Sequence, residues 1–183
     1  MRADEPDCPG DIALLSTGGT IDKTYDPLHG VLRNDLSVLE VMLAALVLEG
    51  VRLHRIEVMN KDSAEMTAED HAEIARVAVA EACVRDGVVI VHGTDTLIET
   101  GQAVLEALGD CAAGPIILTG AMHPWILRTS DAQQNLTEAL LAVQLLDAGV
   151  FVCMHNRVLR FPGIRKDRDR LQFVYSSVHS EEG

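Results

Sequence analysis

Two threonines sit where a hydroxyl can do chemistry: Thr20, behind Ser16-Thr17-Gly18-Gly19, and Thr94, inside His92-Gly93-Thr94-Asp95-Thr96. A hydroxyl is an effective nucleophile only with a base close by. The residues available to activate one are Tyr25, Lys23, Asp95, Lys166 and His92. A positioned base contributes about 10²–10⁴-fold in rate, and one donor to a developing oxyanion about 2.7–4 kcal/mol, enough for acyl transfer without a metal. The two glycines before Thr20 let the backbone approach a bound molecule and aim its N–H groups inward. A phosphate would suit that cradle too, but neither GxGxxG nor GxxxxGKS/T occurs, which weakens a nucleotide reading. The plainer alternative is that these are turn and cap residues, with Thr94 or Asp95 capping a helix at Thr96. His92 fits a hydrogen-bonded structural place better than a general base.

These residues need elements to position them. Short apolar runs at 12–16, 53–59, 88–92, 115–119 and 150–154 read as strands, several of them near-continuously apolar, as in parallel strands covered on both faces. Helical periodicity fills 36–49, 68–85, 96–108 and 130–148. Thr67 with Asp70, and Ser130 with Gln133, have capping-box spacing. Gly50, Gly87, Gly109 and Gly149 fall just past the helix ends, where a left-handed residue is expected. Alternating strands and helices with right-handed crossovers predict an α/β fold: a doubly wound, mostly parallel open sheet with helices on both faces. Beyond 156 the pattern reads as loop, then a short strand at 171–175. Ligands of such sheets bind outside the carboxyl ends of the strands. Hydroxyl- and glycine-rich loops follow four of them: 16–20, 60–63, 92–96 and 119–122.

Composition narrows the function classes. At 48% apolar and 23% charged residues the chain is globular, and no apolar run approaches the ~18 residues of a membrane span. The acidic first residues lack the apolar core of a secretory signal, so a cytoplasmic setting is expected. A net charge of −13 and six aromatics argue against nucleic acid and anionic membranes as partners. Charge runs the other way at Arg157, Arg160, Arg165, Lys166, Arg168 and Arg170, either a solvated loop or a basic lip over an anion site. Cys8, Cys83, Cys111 and Cys153 have no metal-like spacing and read as buried small apolar residues. The histidines have none either, so no metal and no cofactor is expected. Trp125 reads as a loop anchor or an interface residue, and Met42 and Met66 as packing.

Leu14-Leu15-Ser16-Thr17-Gly18-Gly19-Thr20-Ile21 and Gly87-Val88-Val89-Ile90-Val91-His92-Gly93-Thr94-Asp95-Thr96-Leu97 resemble the two signature motifs of the bacterial-type L-asparaginase/glutaminase family. The second matches over eleven positions; the first departs at Asp22, where the family has a small residue. Similarity continues in Asp62-Ser63-Ala64-Glu65-Met66-Thr67, in Thr119-Gly120-Ala121-Met122, in Ser130-Asp131-Ala132 with Asn135-Leu136, and through 150–166.

The resemblance implies a flavodoxin-like N-terminal asparaginase domain and a double-displacement amidohydrolase converting L-asparagine to aspartate and ammonia. Thr20 then matches the nucleophile and Tyr25 its assisting tyrosine. Thr94 matches the second catalytic threonine, Asp95 the carboxylate that holds the substrate ammonium, and Ser63 the ligand of its α-carboxylate. Lys166 aligns with the lysine that supports Thr94, by register more than identity, because Arg160-Phe161-Pro162-Gly163 replaces the family's lead-in. Gly19, Asp62, Gly93 and Ala121 complete the implied substrate contacts. The alternatives are an amidase domain supplying ammonia to a partner, and an asparagine- or aspartate-binding module without turnover. The resemblance also implies a single domain over 1–183 without the family's smaller C-terminal domain. A homodimer or dimer of dimers, with a more open site, is expected to follow.

Overall fold

The sheet is built from strands whose alternate residues serve two different cores. The computed structural model describes residues 9–19, 24–26, 31–33 and 38–176. In β1 (Gly10–Ser16), Ile12 and Leu14 face one side while Ala13 and Leu15 face the other; β5 (Gly87–Val91) divides Val89 and Val91 from Val88 and Ile90 in the same way. This two-residue alternation, apolar on both faces, explains why the sequence shows continuous apolar runs rather than an amphipathic pattern. Helices α2 (Ala68–Ala82) and α3 (Leu97–Leu108) cover one face through Ile74, Ala78, Leu97 and Val104. Helices α1 (Leu39–Ala44) and α4 (Ala132–Leu145) cover the other through Leu39, Met42, Leu136 and Ala139.

With β4 (Val51–Glu57), β6 (Ile116–Thr119), β7 (Val150–Met154) and β8 (Arg157–Arg160), the six-stranded sheet runs β4-β1-β5-β6-β7-β8. Only β8 is antiparallel to its neighbour. The five parallel strands therefore follow the flavodoxin-like order 2-1-3-4-5, with the topological switch between β1 and β5. The predicted doubly wound α/β architecture is the observed one.

Its crossovers are not all of one hand. The connections through α2 and α3 move across the sheet in one direction on one face, while β6–α4–β7 continues in that direction on the opposite face. That last crossover has the opposite hand to the other three; with those in the near-universal right-handed form, it is left-handed. The chain after β6 must therefore cross the rim of the sheet before α4 begins.

Local corrections follow from packing. Helix α1 is much shorter than 36–49, because the chain must turn at Gly50, whose carbonyl accepts from Gly10 N–H, to lay β4 beside β1. The Thr67–Asp70 capping box forms. The Ser130–Gln133 box does not: Asp131 occupies the N-cap and its carboxylate is engaged elsewhere. Gly109 (φ 50°) and Gly149 (φ 151°) take positive φ, whereas Gly50 and Gly87 do not. Gly87 is small for a different reason, since a Cβ there would lie 2.5 Å from Val143 Cγ2.

The segment after 156 is not a loop. His155 and Asn156, both at positive φ, turn the chain into β8, and β9 (Ile164–Asp167) pairs antiparallel with β10 (Gln172–Tyr175). Strands β2 (Thr24–Asp26) and β3 (Val31–Arg33) form a further antiparallel pair that the sequence reading lacked. Of the cysteines, Cys153 is buried, and burial pushes its thiol up to about 12. Cys83 and Cys111 are exposed, contrary to expectation, and Cys8 lies outside the described residues. Met42 is fully buried, and Met66 and Trp125 pack against the two cores.

Candidate active site

The carboxyl ends of β1 and β5 are tied together before the site begins. Thr17, fully buried, donates both its N–H and its hydroxyl to Val91 carbonyl at 3.1 Å. Beyond it the chain enters Gly18 (φ 88°) and Gly19 (φ 94°), conformations that suit glycine. A Cβ on Gly19 would lie 2.5 Å from Gly93 Cα, and a Cβ on Gly93 would run into the Ser63 side chain. Three loops, after β1, β4 and β5, thus meet at distances that only glycine permits.

Ser63 arrives on a short 3-10 turn (Ser63–Glu65) whose cap, Asp62, accepts from Ala64 N–H at 3.1 Å. Its hydroxyl oxygen accepts from Asp95 N–H at 3.3 Å, and its carbonyl accepts the Thr96 hydroxyl at 2.8 Å. Thr96, the N-cap of α3, makes no side-chain cap bond, and the Thr94 hydroxyl is occupied elsewhere.

That occupation is the central feature of the site. Lys166 Nζ donates to Thr94 Oγ1 at 2.9 Å and to Asp95 Oδ1 at 2.8 Å, across more than 70 residues of sequence. Thr94 is nearly buried, and the Lys166 side chain is 13% exposed against 43% for Asp95, so the triad opens toward solvent on its carboxylate side. Lys166 reaches this point because β9 lies against α3. Phe161 and Ile164 are buried in the same core as Leu97 and Val104, and the Phe161 ring fills the space above Gly101, where a Cβ would collide with it. Arg165, Arg168 and Arg170 point outward, so of the local basic run it is Lys166 that joins Thr94 and Asp95. A hydroxyl hydrogen-bonded to an amine is a nucleophile–base pair of the kind found in Ser-Lys hydrolases.

His92 has no part in that pair. It is fully buried, with Nδ1 at 2.7 Å from Gly93 carbonyl and Nε2 at 2.8 Å from Thr100 Oγ1. Burial, helped by nearby His71, lowers its pKa to about 4 despite the Gly93 bond, so the ring is neutral at ordinary pH.

The loop after β6 carries buried Ala121 to the same rim and is held by residues to which the sequence reading gave no role. Asp131 accepts from Met122 N–H (3.0 Å), His123 N–H (2.9 Å) and Asn135 Nδ2 (2.8 Å), and meets His155 Nε2 at 2.7 Å. Burial pushes this carboxyl up, but those N–H donors and His155 outweigh it and hold it below the usual carboxylate value. Asn135 also donates to Gly120 carbonyl (2.9 Å) and accepts His155 N–H (2.9 Å), which supports the positive φ at 155. The crossing of the rim that the opposite-handed crossover demands is stapled here. The Ser130-Asp131-Ala132 and Asn135-Leu136 matches were the available signal.

The structure thus gathers Gly19, Asp62, Ser63, Gly93, Thr94, Asp95, Ala121 and Lys166 at one rim. Thr20 and Lys23 lie outside the described residues, and Tyr25 is described through its backbone in β2, opposite Leu32. Among the described residues no group of three or more His, Cys, Asp or Glu is placed to hold a metal, and no helix is long and apolar enough to cross a membrane.

A family model described as "Asparaginase, N-terminal" matches residues 11–173. The chain belongs to the asparaginase family. It is 36% identical over 167 residues to L-asparaginase 1 of Escherichia coli strain K12, a match covering 81% of this chain and 45% of that protein. It is 33% identical over 146 residues to a glutamyl-tRNA(Gln) amidotransferase component of Haloquadratum walsbyi, covering 79% and 33% respectively. The crystal structure of L-asparaginase I from Vibrio cholerae superposes with a TM-score of 0.78 at 28% identity, over 92% of this chain and 52% of that one. This asparaginase-family chain spans less than half the length of the curated relatives it matches.

Proposed function

We propose that this chain carries the catalytic domain of an L-asparagine amidohydrolase that works by a threonine nucleophile. The observation that carries this reading is Lys166 Nζ placed between the Thr94 hydroxyl and the Asp95 carboxylate in an asparaginase-family rim. In the first half-reaction the Thr20 hydroxyl attacks the side-chain amide carbon, its proton passing to Tyr25. The C–N bond then breaks and the amide nitrogen leaves as ammonia, taking the proton that Tyr25 received from Thr20. An acyl ester on Thr20 remains. In the second half-reaction a water, deprotonated through Thr94 by Lys166 in its amine form, attacks that ester. The Thr20–acyl bond breaks, the proton that the water gave up passes to Thr20 so that Lys166 is again an amine, and aspartate departs. Asp95 pairs with the substrate ammonium, while Ser63 and the N–H groups around Gly19 take its carboxylate. Buried polar contacts of this kind discriminate far better than apolar fit, whereas the choice between asparagine and glutamine is one methylene, about 1–3 kcal/mol.

The deciding experiment is ammonia release from a panel of L-asparagine, L-glutamine and their D-isomers. Turnover is expected to be highest on L-asparagine, and Thr20→Ala and Thr94→Ala should each lower it by about 10²–10⁴-fold. Full activity in both variants sinks the assignment.

The matches to glutamyl-tRNA(Gln) amidotransferase components support a second reading, an amidase domain that supplies ammonia to a partner. It predicts slow turnover of free asparagine that rises when a tRNA-dependent amidotransferase partner is added. An intracellular setting and a homo-oligomeric state, dimer or dimer of dimers, belong to the first proposal and are open to sizing of the purified protein.

A further inference from the structure

Beneath the rim, on the face covered by α2 and α3, three side chains form a hydrogen-bonded line that the mechanism above does not use. His71 Nδ1 lies 2.7 Å from Thr100 Oγ1, Thr100 Oγ1 lies 2.8 Å from His92 Nε2, and His92 Nδ1 lies 2.7 Å from Gly93 carbonyl. All three are buried, and the two rings stack with centroids 6.3 Å apart.

The direction of every bond in this line follows from its last member. Gly93 carbonyl can only accept, so the proton of the neutral His92 ring sits on Nδ1 and leaves Nε2 as an acceptor. Thr100 must then donate its hydroxyl proton to Nε2, and its free lone pair accepts the Nδ1 proton of His71. One hydroxyl, satisfied on both sides, thereby sets the tautomers of two histidines.

The line ends on the peptide that matters most for the site. In a planar trans peptide the C=O and the following N–H point in opposite directions. With Gly93 carbonyl drawn toward His92, the N–H of Thr94 points the opposite way, away from the buried ring. Gly19 and Ser63 also lie close against Gly93, which leaves its peptide little room to turn. We propose that Thr100 and His71 are positioning residues which, through His92, fix the Gly93–Thr94 peptide so that the Thr94 N–H serves as a donor to the oxyanion of the substrate. This rests on the amidohydrolase reading. It adds a determinant of rate that lies wholly behind the site.

The test compares Thr100→Val, which keeps the side-chain shape and removes both hydrogen bonds, with Thr100→Ser, which restores them. With L-asparagine, Thr100→Val is expected to lower kcat and kcat/KM together by about ten-fold, the signature of an interaction made in the transition state. KM should stay within about two-fold, and Thr100→Ser should run close to the unaltered protein. A folded Thr100→Val with unchanged kcat, an equal loss in both variants, or a loss confined to KM would overturn the proposal. Nitrogen-15 spectra of the histidine-labelled unaltered protein provide a test that needs no folded variant. His92 must hold its proton on Nδ1 from pH 5 to 8, and the opposite tautomer overturns the relay. If the unaltered protein releases no ammonia, the amidohydrolase reading fails by itself, and the tautomer measured on the same sample still decides the relay.

Discussion

Two charged clusters sit at opposite ends of the same sheet, and their difference shows what makes one of them a site. At the amino end Asp11 of β1 meets His54 Nε2 of β4 at 2.5 Å and Arg85 Nη1, just beyond α2, at 3.0 Å. Arg85 also pairs with Glu81 at 2.6 Å, and Asp86 accepts the Asp11 N–H at 2.8 Å. At the carboxyl end Lys166 meets Asp95 at 2.8 Å, with geometry no better than that of the amino-end pairs. The ion pairs alone do not distinguish the ends. What does is the backbone around them. The amino-end groups project from strands and a helix end that are already paired, and each charge is spent on a neighbour. At the carboxyl end Thr94 and Asp95 project from a loop that glycines bring into contact with its neighbours, at the switch point where crossovers part to opposite faces, and Lys166 reaches them from β9. A hydroxyl shares the lysine there, and the carboxylate keeps an open side for a substrate.

This contrast is open to three measurements beyond those above. The largest effect is expected for Lys166→Met, which removes the base proposed for Thr94. Ammonia release should fall by about 10²–10⁴-fold while the folded state persists, because the lysine lies outside the apolar core. Activity within a few-fold of the unaltered protein would place the base elsewhere.

A smaller effect tests the buried layer between the clusters. His92 has a lowered pKa, so between about 6.5 and about 4 the unfolded chain takes up a proton that the folded chain refuses. Its contribution to stability is therefore complete above pH 6.5 and declines as pH falls toward 4. Chemical denaturation of the unaltered protein and of His92→Asn across this range should show the stability gap between them narrowing at acid pH. A gap independent of pH would mean that His92 titrates normally. The smallest effect is expected at the amino end, where Arg85→Ala should lower the melting temperature slightly and leave kcat unchanged. A matching loss of activity there would erase the distinction between the two ends.

Much of this organisation was legible beforehand. The apolar runs at Val88-Val89-Ile90-Val91 and Ile116-Ile117-Leu118 marked parallel strands covered on both faces, and the loops rich in glycine and hydroxyls marked the rim. Lys166 was found by register even though its lead-in departs from the family pattern. Phe161 closes that gap: its packing against Gly101 presses β9 onto α3, a contact between positions 60 residues apart that no local pattern encodes. The turn into β8 was missed because neither His155 nor Asn156 is a glycine, and Asn135 and Asp131 stabilise it from a distant helix start. The hand of the last crossover was missed because a rule that nearly always holds carries no information about its exceptions.

The sequence by itself determined the class of fold and the order of the parallel strands and their helices, and it marked the residue types proposed to carry the chemistry. Hydrophobic periodicity, capping and glycine placement are local properties, written in runs of ten residues or fewer. Tertiary structure decided which of those residues meet: that Lys166 crosses to Thr94 and Asp95, that the Asp131 carboxylate ties the loop after β6 to His155, and that His71, Thr100 and His92 join in one line under Gly93. Such contacts depend on the packing of α2, α3 and β9 against one face of the sheet and of α4 against the other. They become definite once the whole core is assembled, because a hydrogen bond tolerates only a few tenths of an ångström while the chain segments that bring its partners together span most of the domain.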